Sequence, residues 1–556
     1  MSDMPRRESS LGRASLVLAS GTVVSRVLGF LSAIILARTL GTVGAGADTF
    51  ALANQLPNNI YAIVAGGVLS AVLVPHIVKA GLDHDNGQSF INKIVTLGFV
   101  IFLAVAVLAT LLAPALVALY AQQASGDGRG FRAEEIALAT AFAYWCLPQV
   151  LFYALYSLLS EVLNARKVFG PFTWAPALNN IVAMMGLGAF TVLFPGVNTG
   201  RALEWDSTMV MVLAGSATAG VAAQATILFA FWRRAGLTYR PDFAWRGVGL
   251  SRAGKAVGWM FGMILVAQVA GVVQANVASL AAGGDAPSLA ILRFSWLIFM
   301  LPHSVVAVSL ATAYFTRMST HARDSNLSAV REDFRSSVSG IGLFMVLATV
   351  GLIVVSLPFA RQFGGTASTM EAMAWVISFY ALGLTAFSVL FIVQRVFYAL
   401  EDTRTPFFLQ LVQASIFISL ALFVSTLPVG QIAFGLALSA SAAGTIQTLI
   451  AIAVLRTKLG GLSLKPLLTS FVTYVLAAIP SSGVGVAIVR GFNGPEGTAI
   501  LAGSSLNAAL IMVLITLAMV ITYTLMLWLL RNQEFLQMAR SVGSRLGRSK
   551  SGNTSS

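Results

Sequence analysis

The sequence predicts an all-α polytopic membrane protein with 14 transmembrane helices: two pseudo-symmetric six-helix lobes followed by two C-terminal helices. Three observations predict this fold class. The 556 residues are 57% hydrophobic and only 10% charged, which is not the composition of a soluble core. Apolar runs recur along the whole chain at the length of roughly 20 residues that a bilayer requires. Lysine and arginine also alternate from one connecting loop to the next.

The apolar runs define 14 predicted spans, numbered here in chain order. They lie at about 15–37, 49–78, 92–119, 135–164, 172–194, 207–232, 255–282, 288–316, 337–360, 371–400, 406–427, 431–455, 468–490 and 504–530. Span 1 is too long for the apolar region of a cleaved signal peptide, and no small-residue cleavage site follows it. We therefore expect it to remain as a helix.

The distribution of basic residues sets the orientation. Of the 35 lysines and arginines, 26 lie at the two termini and on alternate loops, six lie on the opposite loops, and three lie inside spans. The positive-inside rule then places both termini in the cytoplasm of a multi-pass plasma membrane protein. Topology and anionic lipid account for the net charge of +14, so we expect membrane lipids and no nucleic acid as partners.

Two short repeats relate spans that lie six apart. Leu56-Pro57-Asn58-Asn59 is echoed by Leu301-Pro302-His303-Ser304, and Gly170-Pro171-Phe172 is echoed by Thr405-Pro406-Phe407. An even separation gives repeats of the same orientation, related by an axis along the membrane normal. We predict an N-lobe at 1–240, a C-lobe at 241–460, spans 13 and 14 within 461–535, and a basic cytoplasmic tail at 536–556.

Arg26 lies in the middle of span 1, where a charge costs about 2.5–3.5 kcal/mol on insertion scales. Gln55 and Asn58 follow in span 2 on a stripe of small and polar residues. Tight helix packing explains the glycines and alanines of such stripes. It does not explain Arg26, Gln55 and Asn58 together, which favour a hydrated, substrate-binding cavity.

Four more charged residues each have two possible roles. Arg293 either snorkels outward or lines the cavity as a fourth substrate-binding residue. Glu161 and Arg395 occupy nearly equivalent places at the cytoplasmic ends of spans 4 and 10. They either reach the headgroups or form an ion pair that closes the cytoplasmic mouth. Asp48 at the outer end of span 2 either favours the helix dipole or couples transport to protons.

Catalytic and metal-binding motifs are missing from the sequence. There is no P-loop, H-E-x-x-H or G-x-S-x-G, the four histidines are dispersed, and the single cysteine excludes an internal disulfide. We therefore predict a transporter rather than an enzyme, with no catalytic residue, no metal and no cofactor. Energy would come from an ion gradient, the membrane potential or consumption of the transported substrate.

Several motifs resemble a known family. Ser25-Arg26-Val27-Leu28-Gly29-Phe30, Asp48-Thr49-Phe50 and Leu56-Pro57-Asn58 closely resemble the lipid II flippases of the MurJ (MviN) family, in its actinobacterial branch. Leu301-Pro302-His303 resembles the span 8 pattern of the same family. The resemblance implies the fold of the multidrug/oligosaccharidyl-lipid/polysaccharide exporter superfamily. It also implies that lipid II, an undecaprenyl-diphosphate-linked peptidoglycan precursor, crosses from the inner to the outer leaflet by alternating access.

The resemblance carries over Arg26, Asp48 and Asn58 as functional residues. At three places where family members often have an arginine, this chain has another residue. Leu31-Ser32-Ala33 come directly after the Gly-Phe pair without an arginine. Tyr61 stands three residues after Asn58, and Leu297 stands five residues before Pro302. Arg293 lies one helical turn before Leu297 and is a candidate substitute. A diphosphate is a dense anion that a desolvated arginine binds well.

Two other functions remain open. A cation-coupled drug exporter of the MATE type predicts an acidic cavity, whereas three arginines lie inside the spans here. A non-transporting scaffold that recruits cell wall synthesis proteins through its basic loops leaves Arg26 without a role. Complementation of flippase-depleted cells separates these functions from lipid II transport.

Overall fold

The structure, a computed structural model, describes residues 4–66, 87–124, 126, 128–244, 254–494, 499–538 and 540. Thirteen helices within these residues are long and apolar enough to cross a membrane, and each coincides with one predicted span. Span 2 begins as the helix Ala45–Gly66, and the remainder of its predicted range lies outside the described residues. The protein is therefore an all-α, multi-pass membrane protein, as predicted.

The helices of spans 1 to 7 are Met4–Leu40, Ala45–Gly66, Gln88–Leu111 with Ala113–Tyr120, Ala133–Cys146 with Gln149–Ala165, Phe169–Leu193, Ser207–Thr226 and Gly254–Ser279. The helices of spans 8 to 14 are Leu289–Pro302 with Val308–Arg323, Leu327–Phe363, Ala367–Ala381 with Leu384–Ala399, Arg404–Val424, Val429–Lys458, Lys465–Asn493 and Ser505–Leu529. The segment between spans 8 and 9 is largely helical, because Val308–Arg323 and Leu327–Phe363 extend into it from both sides.

Proline acts differently in the two copies of the Leu-Pro repeat. In span 2, Pro57 lies inside one continuous helix. In span 8, Pro302 ends a helix and is followed by a π-helical turn, His303–Ala307. Proline removes a backbone donor, and wide turns of this kind are a known way to accommodate the gap. The repeat is thus retained in sequence while its two backbones have diverged.

The chain forms two compact units: Met1–Arg293 with Ala421–Ala433, and Phe294–Leu420 with Phe434–Ser556. In the first unit, span 5 packs most extensively against spans 1 and 6. A Cβ at Gly186 of span 5 would lie only 2.0 Å from Ser216 Oγ of span 6. Close approach through a residue without a side chain is typical of helix packing in membranes, and it explains part of the small-residue content.

Span 9 is the central helix of the second unit. It packs against spans 10, 13 and 14 and against the helix Val308–Arg323. Tyr523 of span 14 donates a hydrogen bond to the Leu343 carbonyl of span 9 at 2.9 Å, and Glu534 accepts from Tyr474 and Ser339. Spans 13 and 14 are therefore integral to this unit. The lobe boundaries at 240 and 460 remain predictions.

Six spans end in the same hydrogen-bond pattern, the Schellman motif, in which a residue in the left-handed conformation closes the last turn. The motif follows spans 4, 6, 8, 10, 12 and 14, all of which end on the predicted cytoplasmic side. After span 6 it closes the short 3-10 helix Arg233–Ala235, which lies beyond the α-helix. Its left-handed residues are Lys167, Gly236, Ser325, Glu401, Gly460 and Arg531, with φ between 50° and 73°. After span 4, for example, Val168 N–H donates to Leu163 O and Lys167 N–H to Asn164 O.

Candidate functional site

Arg26 lies within the membrane-crossing part of span 1 and its side chain is exposed. A neighbouring face of the same helix packs on span 5, where Asn180 Nδ2 donates to the Ser25 carbonyl at 3.0 Å. A Cβ at Gly21 would lie 2.8 Å from Thr173 of span 5. Within the described part of the chain, no carboxylate forms an ion pair with Arg26. The structure thus anchors the helix while leaving the guanidinium open to a ligand.

Gln55 and Asn58 have exposed side chains one turn apart in span 2, while Leu56 and Pro57 between them are buried. Each amide offers two donors and an acceptor to a ligand on the exposed side of this helix. The following residue, Asn59, is held from span 7, because Gln268 Nε2 donates to its carbonyl at 2.8 Å. Span 2 therefore presents polar groups while spans 2 and 7 are bonded together.

Asp48 and Arg293 tie spans 2 and 8 together in reciprocal fashion. Asp48 is fully buried, and its Oδ1 accepts a hydrogen bond from the Ala290 N–H at 3.0 Å. Arg293 Nη1 donates to the Ala51 carbonyl at 3.2 Å. Each charged side chain thus bonds to the backbone of the other helix. We call these four residues the 48/293 latch.

The latch places a carboxylate at the positive end of a helix dipole. Ala290 is the second residue of the helix Leu289–Pro302, so its N–H has no partner within the helix. A carboxylate at such an N-terminus is stabilised by both the dipole and the hydrogen bond. Asp48 also lies in the first turn of its own helix, Ala45–Gly66, as expected for a residue that favours the helix dipole. It therefore lies at the N-terminal ends of two helices.

A second carboxylate, Glu135, lies close to Asp48 at the predicted outer ends of the helices. Glu135 accepts a hydrogen bond from the Arg132 N–H at 2.8 Å and caps the first helix of span 4. A Cβ at Gly283, in the loop between spans 7 and 8, would lie 2.3 Å from Glu135 Oε1. Sequence reasoning did not single out Glu135, although its place three residues after the start of the helix was a local capping signal.

Glu161 and Arg395 belong to different compact units. Arg395 lies over two aromatic rings of its own unit, with its guanidinium carbon 4.8 Å from the Phe391 centroid and 5.2 Å from that of Phe315. These cation–π contacts give Arg395 a stable position inside the membrane region. An ion pair between Glu161 and Arg395 remains a prediction.

Comparison with known proteins gives consistent results. A family model described as lipid II flippase MurJ matches residues 36–499. A probable lipid II flippase MurJ of Haemophilus influenzae is 27% identical over 403 residues, which cover 69% of this chain and 75% of that protein. The matched residues of the family model begin after Arg26 and include Asp48, Asn58 and Arg293.

Solved structures show the same fold. A lipid II flippase MurJ in an inward closed conformation superposes with a TM-score of 0.68 at 20% identity, over 93% of this chain and 100% of that one. An inward-facing multidrug resistance MATE family transporter of the MOP superfamily superposes with a TM-score of 0.53 at 15% identity, over 80% of this chain and 94% of that one. The likeness to the MATE transporter is one of fold alone.

Proposed function

Because this chain belongs to the lipid II flippase MurJ family, we propose that it moves lipid II from the inner to the outer leaflet of the plasma membrane. The match over residues 36–499 is the observation that carries this proposal, since it includes nearly all of the predicted spans. The cargo is an undecaprenyl-diphosphate-linked peptidoglycan precursor, and its delivery would supply cell wall biosynthesis. Transport requires neither a catalytic residue nor a cofactor of the protein's own.

Arg26 is the residue proposed to bind the diphosphate. Its guanidinium is exposed inside the membrane region and makes no ion pair with the described residues, so a ligand can neutralise it. Charge-assisted bonds from a guanidinium to phosphate oxygens are among the strongest in proteins. Gln55 and Asn58 would add neutral hydrogen bonds, since both amides are exposed on span 2.

Arg293 is proposed to act in closure as well as in binding. In this structure the Arg293 guanidinium donates to the Ala51 carbonyl within the 48/293 latch, which joins the predicted outer ends of spans 2 and 8. Alternating access requires such a contact to break when the outer side opens. Once released from Ala51, Arg293 would be free to meet the diphosphate. Glu161 and Arg395 are proposed as the corresponding pair at the cytoplasmic mouth.

Topology and partners complete the proposal. Both termini would lie in the cytoplasm, because 26 of the 35 basic residues fall on the termini and the alternate loops. The tail 541–556 lies outside the described residues, and its basic composition suits contact with anionic lipid. Cell wall synthesis proteins that consume lipid II at the outer face are the expected protein partners.

Complementation tests the function directly. We expect the wild-type chain to restore outer-leaflet lipid II in cells depleted of their own flippase, measured by an enzyme that acts only on surface-exposed precursor. Arg26→Ala should lower the flipping rate about 10- to 100-fold, the loss expected for one charged hydrogen-bonding group. Arg490→Ala, which removes a cation at the predicted outer end of span 13, should retain the wild-type rate.

The outcomes separate the two claims. If the wild-type chain does not restore exposed precursor, the function is wrong. If it does so and Arg26→Ala is equally active, the function stands and the anion-binding role of Arg26 is lost.

A further inference from the structure

The second unit contains a cavity of about 250 Å³ between spans 8, 10, 11 and 12, and none of the proposed substrate-binding residues lines it. None of the described residues that line it carries a charge. Pockets for drug-sized ligands have volumes of roughly 300–1,000 Å³, so this cavity suits one ring rather than a whole lipid headgroup. Its shape and lining therefore limit the ligand to a small, neutral group.

One wall of the cavity is aromatic. Trp296 and Phe299 stack with centroids 4.8 Å apart and an interplanar angle of 25°. Phe387 meets both rings edge-on, at 5.9 Å from Trp296 and 5.4 Å from Phe299. Phe299 is buried, whereas Trp296 is 40% exposed and offers a ring face to a ligand. Flat apolar faces of this kind bind the C–H faces of ring-shaped ligands.

Four carboxamides also line the cavity. Gln394, Gln410, Gln413 and Gln447 all line the cavity, which is a high proportion of amides for a small pocket. Gln410 Nε2 donates to Gln413 Oε1 at 2.9 Å. Gln447 is 96% buried, as its exposure is 4%, yet its Nε2 has no hydrogen-bond partner among the described residues. A buried donor without a partner is destabilising, so this position favours a ligand with an acceptor.

Charge excludes two other kinds of ligand. Arg395 lies over the Phe391 ring, which itself lines the cavity, so an organic cation would be placed next to a positive charge. An anion such as a diphosphate would find no cationic lining residue. An isoprenoid chain would leave the buried Nε2 of Gln447 without a hydrogen-bond partner. A neutral ring with apolar faces and polar edges suits both the aromatic rings and the amides.

We propose that this cavity binds one uncharged sugar ring of the lipid-linked substrate, with Trp296 against its face and Gln447 and Gln410 bonded to its hydroxyl or acetamido groups. The proposal rests on the proposed function, because lipid II is the sugar-bearing ligand in question. The sugar contact lies wholly within the second unit and contributes to affinity separately from the diphosphate contact.

Two probes separate these contributions: undecaprenyl diphosphate, and the same lipid carrying an N-acetylglucosamine-containing disaccharide without the peptide. Affinities are measured for the full chain in nanodiscs. Wild type should bind the sugar-bearing lipid more tightly, and Gln447→Leu should reduce this preference about threefold to tenfold, as expected for one neutral hydrogen bond. Gln224→Leu, at another buried glutamine in span 6 away from this cavity, should keep the wild-type preference.

Each possible result either supports or overturns the sugar-binding proposal. Gln410→Ala at a half-buried position provides the same test if Gln447→Leu does not fold. A preference unchanged in both variants, or no preference in wild type, overturns the proposal while the flippase function stands. Tighter binding of both lipids by Gln447→Leu would assign the cavity to the isoprenoid chain instead. If wild type binds neither lipid, the function fails and this proposal fails with it.

Discussion

The 48/293 latch holds a buried carboxylate and a half-buried guanidinium on backbone partners rather than on each other. Asp48 bonds to the Ala290 N–H and Arg293 bonds to the Ala51 carbonyl, so neither is left without a hydrogen bond. Buried charges are tolerated only with such partners, and hydrogen bonds to charged groups are each worth about 1.5–3 kcal/mol. A contact of this strength suffices to bias a conformational equilibrium and is still weak enough to break in each cycle.

Asp48→Asn should shift the protein towards the state that is open on the outer side. The neutral amide interacts less with the helix dipole at Ala290 and weakens the latch. We expect faster labelling, by an impermeant maleimide, of a single cysteine placed at Gln55 in the Cys146→Ala background. The labelling rate in intact cells is the measurement.

Asp206→Asn provides the matched control. Asp206 Oδ1 accepts from the Met209 N–H at 2.8 Å and caps its own helix at the start of span 6. Both substitutions weaken a carboxylate cap and should cost about 0.5–2 kcal/mol of stability. Only Asp48→Asn should change labelling at residue 55. Equal labelling in both variants would show that the latch does not control outer access.

At the scale of the element, the six Schellman closures show how helix ends at the predicted cytoplasmic side are built. Four of the six left-handed residues are not glycine: Lys167, Ser325, Glu401 and Arg531. A residue with a Cβ in this conformation costs roughly 1–2 kcal/mol. Two of the four are basic, and cations near a helix C-terminus interact favourably with its dipole. At Lys167 and Arg531 this interaction offsets part of the cost of the left-handed conformation.

Ser325→Gly should therefore stabilise the protein. The change relieves the left-handed strain at φ 57° and adds some unfolded-state entropy, which leaves a net gain of about 0.5–1 kcal/mol. Gly460→Ser is the reciprocal variant, because Gly460 has φ 68° in the same motif and open space around the position of a Cβ. Thermal unfolding in detergent should give a higher Tm for the first and a lower Tm for the second. Shifts of the same sign in both would contradict the strain argument.

At the scale of the whole molecule, apolar runs and basic loops were enough to locate the described spans. Apolar length is a local property, so each of the thirteen spanning helices among the described residues coincides with one predicted span. The latch was beyond sequence reasoning, because Ala290 lies 242 residues from Asp48 and contributes only a backbone N–H. The unpaired amide of Gln447 was equally hidden, since no local pattern distinguishes it from a glutamine that has a partner. Family resemblance indicated Asp48 without indicating what it bonds to.

Single-cysteine labelling checks the orientation of the whole chain. The one native cysteine, Cys146, is buried, so Cys146→Ala gives a clean background. Arg201→Cys, in the exposed loop between spans 5 and 6, should be labelled by an impermeant maleimide in intact cells. Asp324→Cys, between spans 8 and 9, should be labelled only after the membrane is opened. The reverse pattern would place both termini outside.

The Schellman closures also have a consequence for biosynthesis. Each closure uses only backbone groups from the last turn of its own helix, as at Lys167 and Gly460. The hydrogen bonds that close a span at its predicted cytoplasmic end can therefore form before any later span has left the ribosome. We expect the chain to enter the bilayer as successive pairs of helices, each of which closes its own C-terminal end with local backbone hydrogen bonds. Nascent chains stopped after 168 or 326 should accordingly resist proteolysis at these ends.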